Sequence, residues 1–319
     1  MLFCGFIAMR ADVIKIFYRP EQAIIEEQPL NGSRSPEKAR LLLEKISQQG
    51  MSNAFAIEGD FQAFSRADYL LAHDSIYVDS FLNGIMPLCE SSSLRWSLDL
   101  VKAVAYSNSS LYHAIKHTVV NPKQIALSPT SGFHHATPSR GGGFCTFSGQ
   151  VIAALKIFGE HRISGAFLDL DGHFGNSIDD SRDYCPELNL AIPKGCNINP
   201  QGVGREYIAH FKNQLEDLKV LVMNYDIGYV VFCHGADSHV DDDRGGQCTT
   251  EEWLECSNLF YEWLRDVDSL RGDPMPCSLA LFGGYRKDNY DEVLRLHLSD
   301  LQQCLQIACQ RSLVRMGAQ

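Results

Sequence analysis

Asp171-Gly172-His173 sets a carboxylate and an imidazole two residues apart. In extended backbone such residues point to the same side, so both can address one ion. Asp237, in His234-Gly235-Ala236-Asp237, offers a third ligand from a distant segment. A neutral imidazole with carboxylates suits Zn2+, and a catalytic zinc keeps one position open for water or substrate. His134 and His135 are adjacent, and an imidazole pair beside a metal-activated water could serve as general base and general acid. Tyr285 follows Gly283-Gly284, and a phenol there could donate to a developing oxyanion. Asp169 is expected to point away from Asp171 and His173, where it could fix a histidine tautomer or bind a structural cation. Gly141-Gly142-Gly143-Phe144 implies backbone that turns tightly near a ligand.

Each feature has an ordinary counterpart. An acid near a histidine is often only hydrogen bonded, adjacent histidines are often one core and one solvated residue, and Gly-Gly-Tyr is a common turn. Their joint position decides between the readings. Each follows a short apolar run rich in strand formers, and open α/β sheets bind ligands beyond the carboxyl ends of their strands. A metal-assisted hydrolase is the first hypothesis.

Strands are expected over 12–18, 124–127, 165–170, 228–233 and 278–282. Helices are expected from Ser35-Pro36-Glu37, with Ser35 as cap and Ala39, Leu42, Leu43 and Ile46 as the apolar face, and over 97–117, 147–158, 205–219, 251–265 and 290–310. This alternation predicts an α/β fold: one domain, 1–319, with a parallel sheet flanked by helices on both faces.

The 319 residues are 45% apolar, enough for a sizeable core. A formal charge of −11, from 39 acids and 28 bases, argues against direct nucleic-acid binding. The 11 cysteines form no C-x-x-C pair and read as reduced thiols of a cytoplasmic protein, with Cys233 and Cys277 in the core. No membrane span is expected, and the apolar start Met1–Met9 is too short and lacks the basic flank of a secretory signal.

Taken together, Gly132-Phe133-His134-His135-Ala136, Gly143-Phe144-Cys145, Asp169-x-Asp171-x-His173-x-Gly175-Asn176, Gly235-Ala236-Asp237-x-His239 and Gly283-Gly284-Tyr285 resemble the zinc-dependent histone deacetylase family, which includes acetylpolyamine amidohydrolases. Order and spacing match, including the nine-residue step from His135 to Phe144. The resemblance implies the arginase/deacetylase-like fold and Zn2+, or Fe2+, on Asp171, His173 and Asp237. It implies that His134 and His135 share base and acid work, that Tyr285 stabilises the oxyanion, and that Asp169 orients His134 and helps hold a structural K+. Phe144, with Gly143 before it, would wall a narrow channel for acyl-lysine in a protein or for a small acylated amine. The implied reaction is removal of an acetyl or other acyl group.

The sequence also departs from the family. Asn176 stands where many members have Asp, and a neutral partner should leave His135 less easily protonated. The usual aromatic second wall aligns with Cys196–Pro200, which holds no aromatic residue. Gly172 and Phe174 flank His173 where other side chains are frequent. Two alternatives share the fold. One is a two-manganese ureohydrolase, whose Asp-x-His-x-Asp pattern is broken by Gly175; the other is a non-catalytic acyl-group binding protein, which would be expected to lose the Tyr or a His.

Overall fold

The computed structural model describes residues 11–24, 34–224 and 227–309. The apolar start and the end of the expected last helix lie outside them.

Four strands are buried on both faces and therefore carry almost unbroken apolar side chains: β3 (Ile125–Ser128), β4 (Ser164–Asp169), β6 (Ile227–Cys233) and β7 (Cys277–Ala280). With β1 (Ile14–Phe17), β2 (Phe55–Glu58) and β5 (Asn197–Ile198) they form one seven-stranded sheet in the order β2-β1-β3-β7-β6-β4-β5. Every pairing is parallel. All carboxyl ends therefore open on one edge, and the central four, β3-β7-β6-β4, bring their following loops side by side. The edge strands β2 and β5 were not expected. β2 is partly solvated and β5 has two residues, so neither has the apolar signature of a central strand.

Among the described residues there are ten helices around the sheet: α1 (Lys38–Gln48), α2 (Arg66–Tyr69), α3 (Ser75–Asn83), α4 (Leu98–Val120), α5 (Gly149–His161), α6 (Ser177–Asp180), α7 (Leu188–Ala191), α8 (Arg205–Asn224), α9 (Thr250–Arg271) and α10 (Tyr290–Gln303). α4 packs on α5 and on β1, β3 and β7, while α8, α9, α10 and α1 pack in succession as the other layer. Ser97, Ser148 and Thr249 cap α4, α5 and α9 by accepting the N–H of Leu100, Val151 and Glu252. The expected Ser35 cap is not formed. Ser35–Glu37 is a 3-10 turn and α1 starts at Lys38, whose side chain is buried beside Ala39, Leu41, Leu42 and Ile46. α10 stops at Gln303 and passes into a π turn, Cys304–Ala308. All ten described cysteines are buried thiols. Among the described residues no helix is long and apolar enough to cross a membrane.

His73 ties the loop after β3 to the start of α5. Its Nδ1–H donates to the Thr137 carbonyl at 2.9 Å, and its Nε2 accepts the Ser148 N–H at 2.9 Å. Both nitrogens are satisfied only in the neutral ring. Burial accordingly pushes the His73 pKa from 6.5 down to about 4. Between those values the unfolded chain binds a proton that the folded one refuses, so stability falls as pH drops through the window. We expect wild-type protein to lose about 2–3 kcal/mol more than His73→Asn between pH 6.5 and about 4.5 in urea unfolding. Equal losses would remove His73 from the acid response.

Candidate active site

The four central strands deliver the candidate residues to one place. β4 ends at Asp169, and its loop carries Asp171, His173 and Asn176. The loop after β3 carries His134 and His135, a 3-10 turn after β6 carries Asp237, and the loop after β7 carries Tyr285.

Nδ1 of His173 lies 3.0 Å from Asp171 Oδ1 and 3.1 Å from Asp237 Oδ2. One ligand atom from each of the three falls within 4.8 Å of the others, the one such group among the described residues. Both carboxylates are braced by main chain. Asp171 accepts from Gly283 N at 2.8 Å and from His173 N at 3.0 Å, and Asp237 accepts from Gly172 N at 2.9 Å. Gly283 approaches so closely that a Cβ there would overlap the Asp237 carboxylate.

Burial drives the Asp237 pKa up, reinforced by Asp171, to about 7. Asp171 is desolvated too, but His134 and hydrogen bonds with His173 and Asp237 hold it below the usual range. Hydrogen bonds that His173 donates to these carboxylates raise its pKa to about 10. Two buried carboxylates thus compete for one imidazole. Behind them Lys38, almost fully buried, donates from Nζ to the Phe282 carbonyl; burial lowers its pKa to about 8 against the pull of Asp237, Asp171 and Asp242. The donor set, two buried carboxylates and an imidazole within reach of one another, fits one divalent ion.

The histidines differ. His134 Nδ1 meets Asp169 Oδ2 at 2.9 Å; burial pulls its pKa down, but Asp171 and Asp169 outweigh burial and raise it to about 9. His135 Nδ1 meets the Asn176 amide oxygen at 2.9 Å. Its pKa is lowered, as expected, but burial and the neighbouring His134 are the main causes, and the bond to Asn176 opposes them.

Gly142–Cys145 is a tight turn closed by Cys145 N to Gly142 O at 2.7 Å, with positive φ at Gly143 (47°) and Phe144 (63°), as in a type I′ turn. A Cβ on Gly143 would overlap the His135 ring. The turn sets Phe144 against Tyr285, their ring centroids 5.7 Å apart, and the Arg244 guanidinium lies 5.1 Å and 5.7 Å from the same two rings. Burial and the neighbouring Asp171 and Asp237 keep the Tyr285 phenol protonated, far above its ordinary pKa.

Sequence reasoning missed what grips Tyr285. Asp242 accepts from Tyr285 N at 2.7 Å and Arg286 N at 3.1 Å, Asp243 accepts from Lys287 N at 3.2 Å, and Asp241 pairs with Arg286 at 3.0 Å. The signal was the run Asp241-Asp242-Asp243, which reads as a solvated loop until Arg286-Lys287 is placed against it. The segment expected at the second wall is instead strand and support. Cys196, Ile198 and Asn199 are buried, and Asn199 accepts from Gly175 N at 2.8 Å. Phe174, beside His173, is 54% exposed.

Residues 33–191 match the histone deacetylase domain. The chain belongs to the histone deacetylase family. It is 42% identical to "Histone deacetylase 2" of Arabidopsis thaliana over a stretch covering 39% of this chain and 35% of that protein. The match thus spans about a third of the relative's length. The crystal structure of the HDA15 HD domain superposes with a TM-score of 0.67 at 15% identity, covering 95% of this chain and 90% of that one, and establishes the fold. The family match takes in Asp169, Asp171, His173 and the histidine pair, while Asp237 and Tyr285 lie beyond it and join them through the sheet.

The turn under His135 makes a testable demand. Gly143→Ala should destabilise the protein by about 1–3 kcal/mol, through positive φ and overlap with the His135 ring. Gly142→Ala, whose Cβ would meet nothing closer than 3.4 Å, should cost under about 1 kcal/mol. Equal losses in denaturant unfolding would mean that the His135 contact does not constrain the turn.

Proposed function

We propose that the protein is a zinc-dependent deacylase that hydrolyses the amide of an acyl-lysine side chain. The observation that carries this reading is the convergence, at one sheet edge, of Asp171, His173 and Asp237 with a histidine pair of unlike partners and a protonated tyrosine. Zn2+, or Fe2+, on those three ligands would polarise the acyl carbonyl and acidify a water.

The chain's own groups supply the rest. His135, neutral and donating from Nδ1 to Asn176, has its Nε2 lone pair available to take the proton of the attacking water. His134, paired with Asp169, holds positive charge near the centre and shares in returning a proton to the leaving amine. The Tyr285 O–H donates to the oxyanion as it develops, with the loop fixed in advance by Asp242. Phe144 and Tyr285 offer aromatic surface to an aliphatic stem. A structural K+ beside Asp169 is part of the same reading.

The position of Arg244 favours acyl-lysine over an acylated polyamine. The neutral lysine stem can lie along the rings, whereas a polyamine would bring a second ammonium to the place the guanidinium holds. The ureohydrolase alternative lacks support, because it would need further carboxylates bridging a second ion. A purely binding role gives no account of the retained His135 and Tyr285.

The test is acetate release from an acetyl-lysine peptide and from an acetylpolyamine, with and without chelator, beside panels of longer acyl groups. We expect chelator-sensitive turnover, faster on the peptide, and a kcat roughly 100-fold lower in Tyr285→Phe. Turnover of none of these substrates, or an unchanged kcat in Tyr285→Phe, would overturn the assignment.

A further inference from the structure

Asn176 poses a problem that an aspartate in its place would not. Its side chain ends in one acceptor and one donor of almost the same shape, so it can sit either way round. If the oxygen faces His135, then His135 must carry its proton on Nδ1 and keep Nε2 as a base. If the NH2 faces His135, then Nδ1 must be the acceptor, the proton moves to Nε2, and the base is lost. A carboxylate has two equivalent oxygens and admits only the first arrangement.

The structure removes the ambiguity four residues further on. Asn176 precedes α6 and Asp180 ends it, with Asp180 N donating to the Asn176 carbonyl at 2.9 Å. This single turn places the two side chains on one face. Asn176 Nδ2 donates to Asp180 Oδ2 at 2.6 Å, while Asn176 Oδ1 faces His135 Nδ1 at 2.9 Å. An ionised carboxylate can only accept, so the NH2 must point at Asp180 and the oxygen at His135. The turn is itself anchored. Ser177 N donates to the His134 carbonyl at 2.9 Å, the Ser177 and Ser148 hydroxyls are bonded, and Asn197 Nδ2 donates to Asp179 at 3.0 Å.

We propose that Asp180 is a positioning residue: through the Asn176 amide it sets the Nδ1–H tautomer of His135 and so keeps Nε2 free as the base. Asp180 touches no reacting atom and is exposed, so its effect is that of one hydrogen bond acting at a distance. The kinetic part rests on the deacylase reading above; the tautomer part does not.

The experiment has both arms. In full-length protein with 15N-labelled histidine, at about pH 8, two-bond 1H–15N spectra report which ring nitrogen carries the proton, with His135→Gln identifying the His135 signals. Wild type should show Nδ1–H, Asp180→Ala should populate Nε2–H, and Asp180→Asn, whose amide oxygen can replace the carboxylate, should restore Nδ1–H. In turnover, Asp180→Ala should lower kcat by about 10-fold with KM little changed. In an Asn176→Asp background the same substitution should cost nothing further, because that carboxylate needs no orienting partner. An unchanged tautomer in Asp180→Ala, or an equal kcat loss in both backgrounds, overturns the proposal. If no substrate is turned over, the deacylase reading fails while the spectra still decide the role of Asp180.

Discussion

The site depends on one electrostatic conflict. Asp171 and Asp237 are buried side by side, and the group between them is the Nδ1 of a single histidine. Desolvated carboxylates at this distance repel strongly, and hydrogen bonds from backbone N–H groups only partly offset the repulsion. A folded chain that held this arrangement for no purpose would gain stability by replacing it with apolar side chains. The arrangement is explained if a divalent ion resides among the three ligands.

The sheet makes the conflict possible. Each charged residue lies just past a strand buried on both faces, so the backbone under it has little freedom to relax. Adjacent loops then brace one another: Gly283 after β7 donates to Asp171, Gly172 after β4 donates to Asp237, and Gln247 Nε2 donates to the Gly172 carbonyl at 2.7 Å. Lys38 arrives from the other direction, at the start of α1, and places a buried cation behind Asp171 and Asp237. The rigidity that holds like charges together also aligns Tyr285 and the histidine pair, because all are carried by loops of the same four strands.

Much of this was legible in the chain. β3, β4, β6 and β7 could be read because double-sided burial demands continuous apolar runs, and the chemistry-bearing residues follow those runs directly. The rest was hidden for physical reasons. β2 and β5 are edge strands held by pairing with a neighbour and carry no burial pattern of their own. Ser35 has the type of a helix cap, but α1 starts later, at the residue whose ammonium reaches the Phe282 carbonyl. The hold of Asp241–Asp243 on Tyr285–Lys287 and the bond from Asn176 to Asp180 are contacts of polar side chains with backbone or with one another. Such contacts leave no periodicity, so only the folded geometry reveals them.

The most direct test of the central claim is a zinc titration of metal-free protein followed by thermal unfolding, in wild type and in Asp237→Ala. If buried carboxylates hold the ion, wild type should bind one equivalent of zinc and its Tm should rise with zinc concentration, as expected for a ligand that binds the folded state. Asp237→Ala should show neither effect. A wild-type Tm indifferent to zinc, or the same rise in Asp237→Ala, would contradict the account.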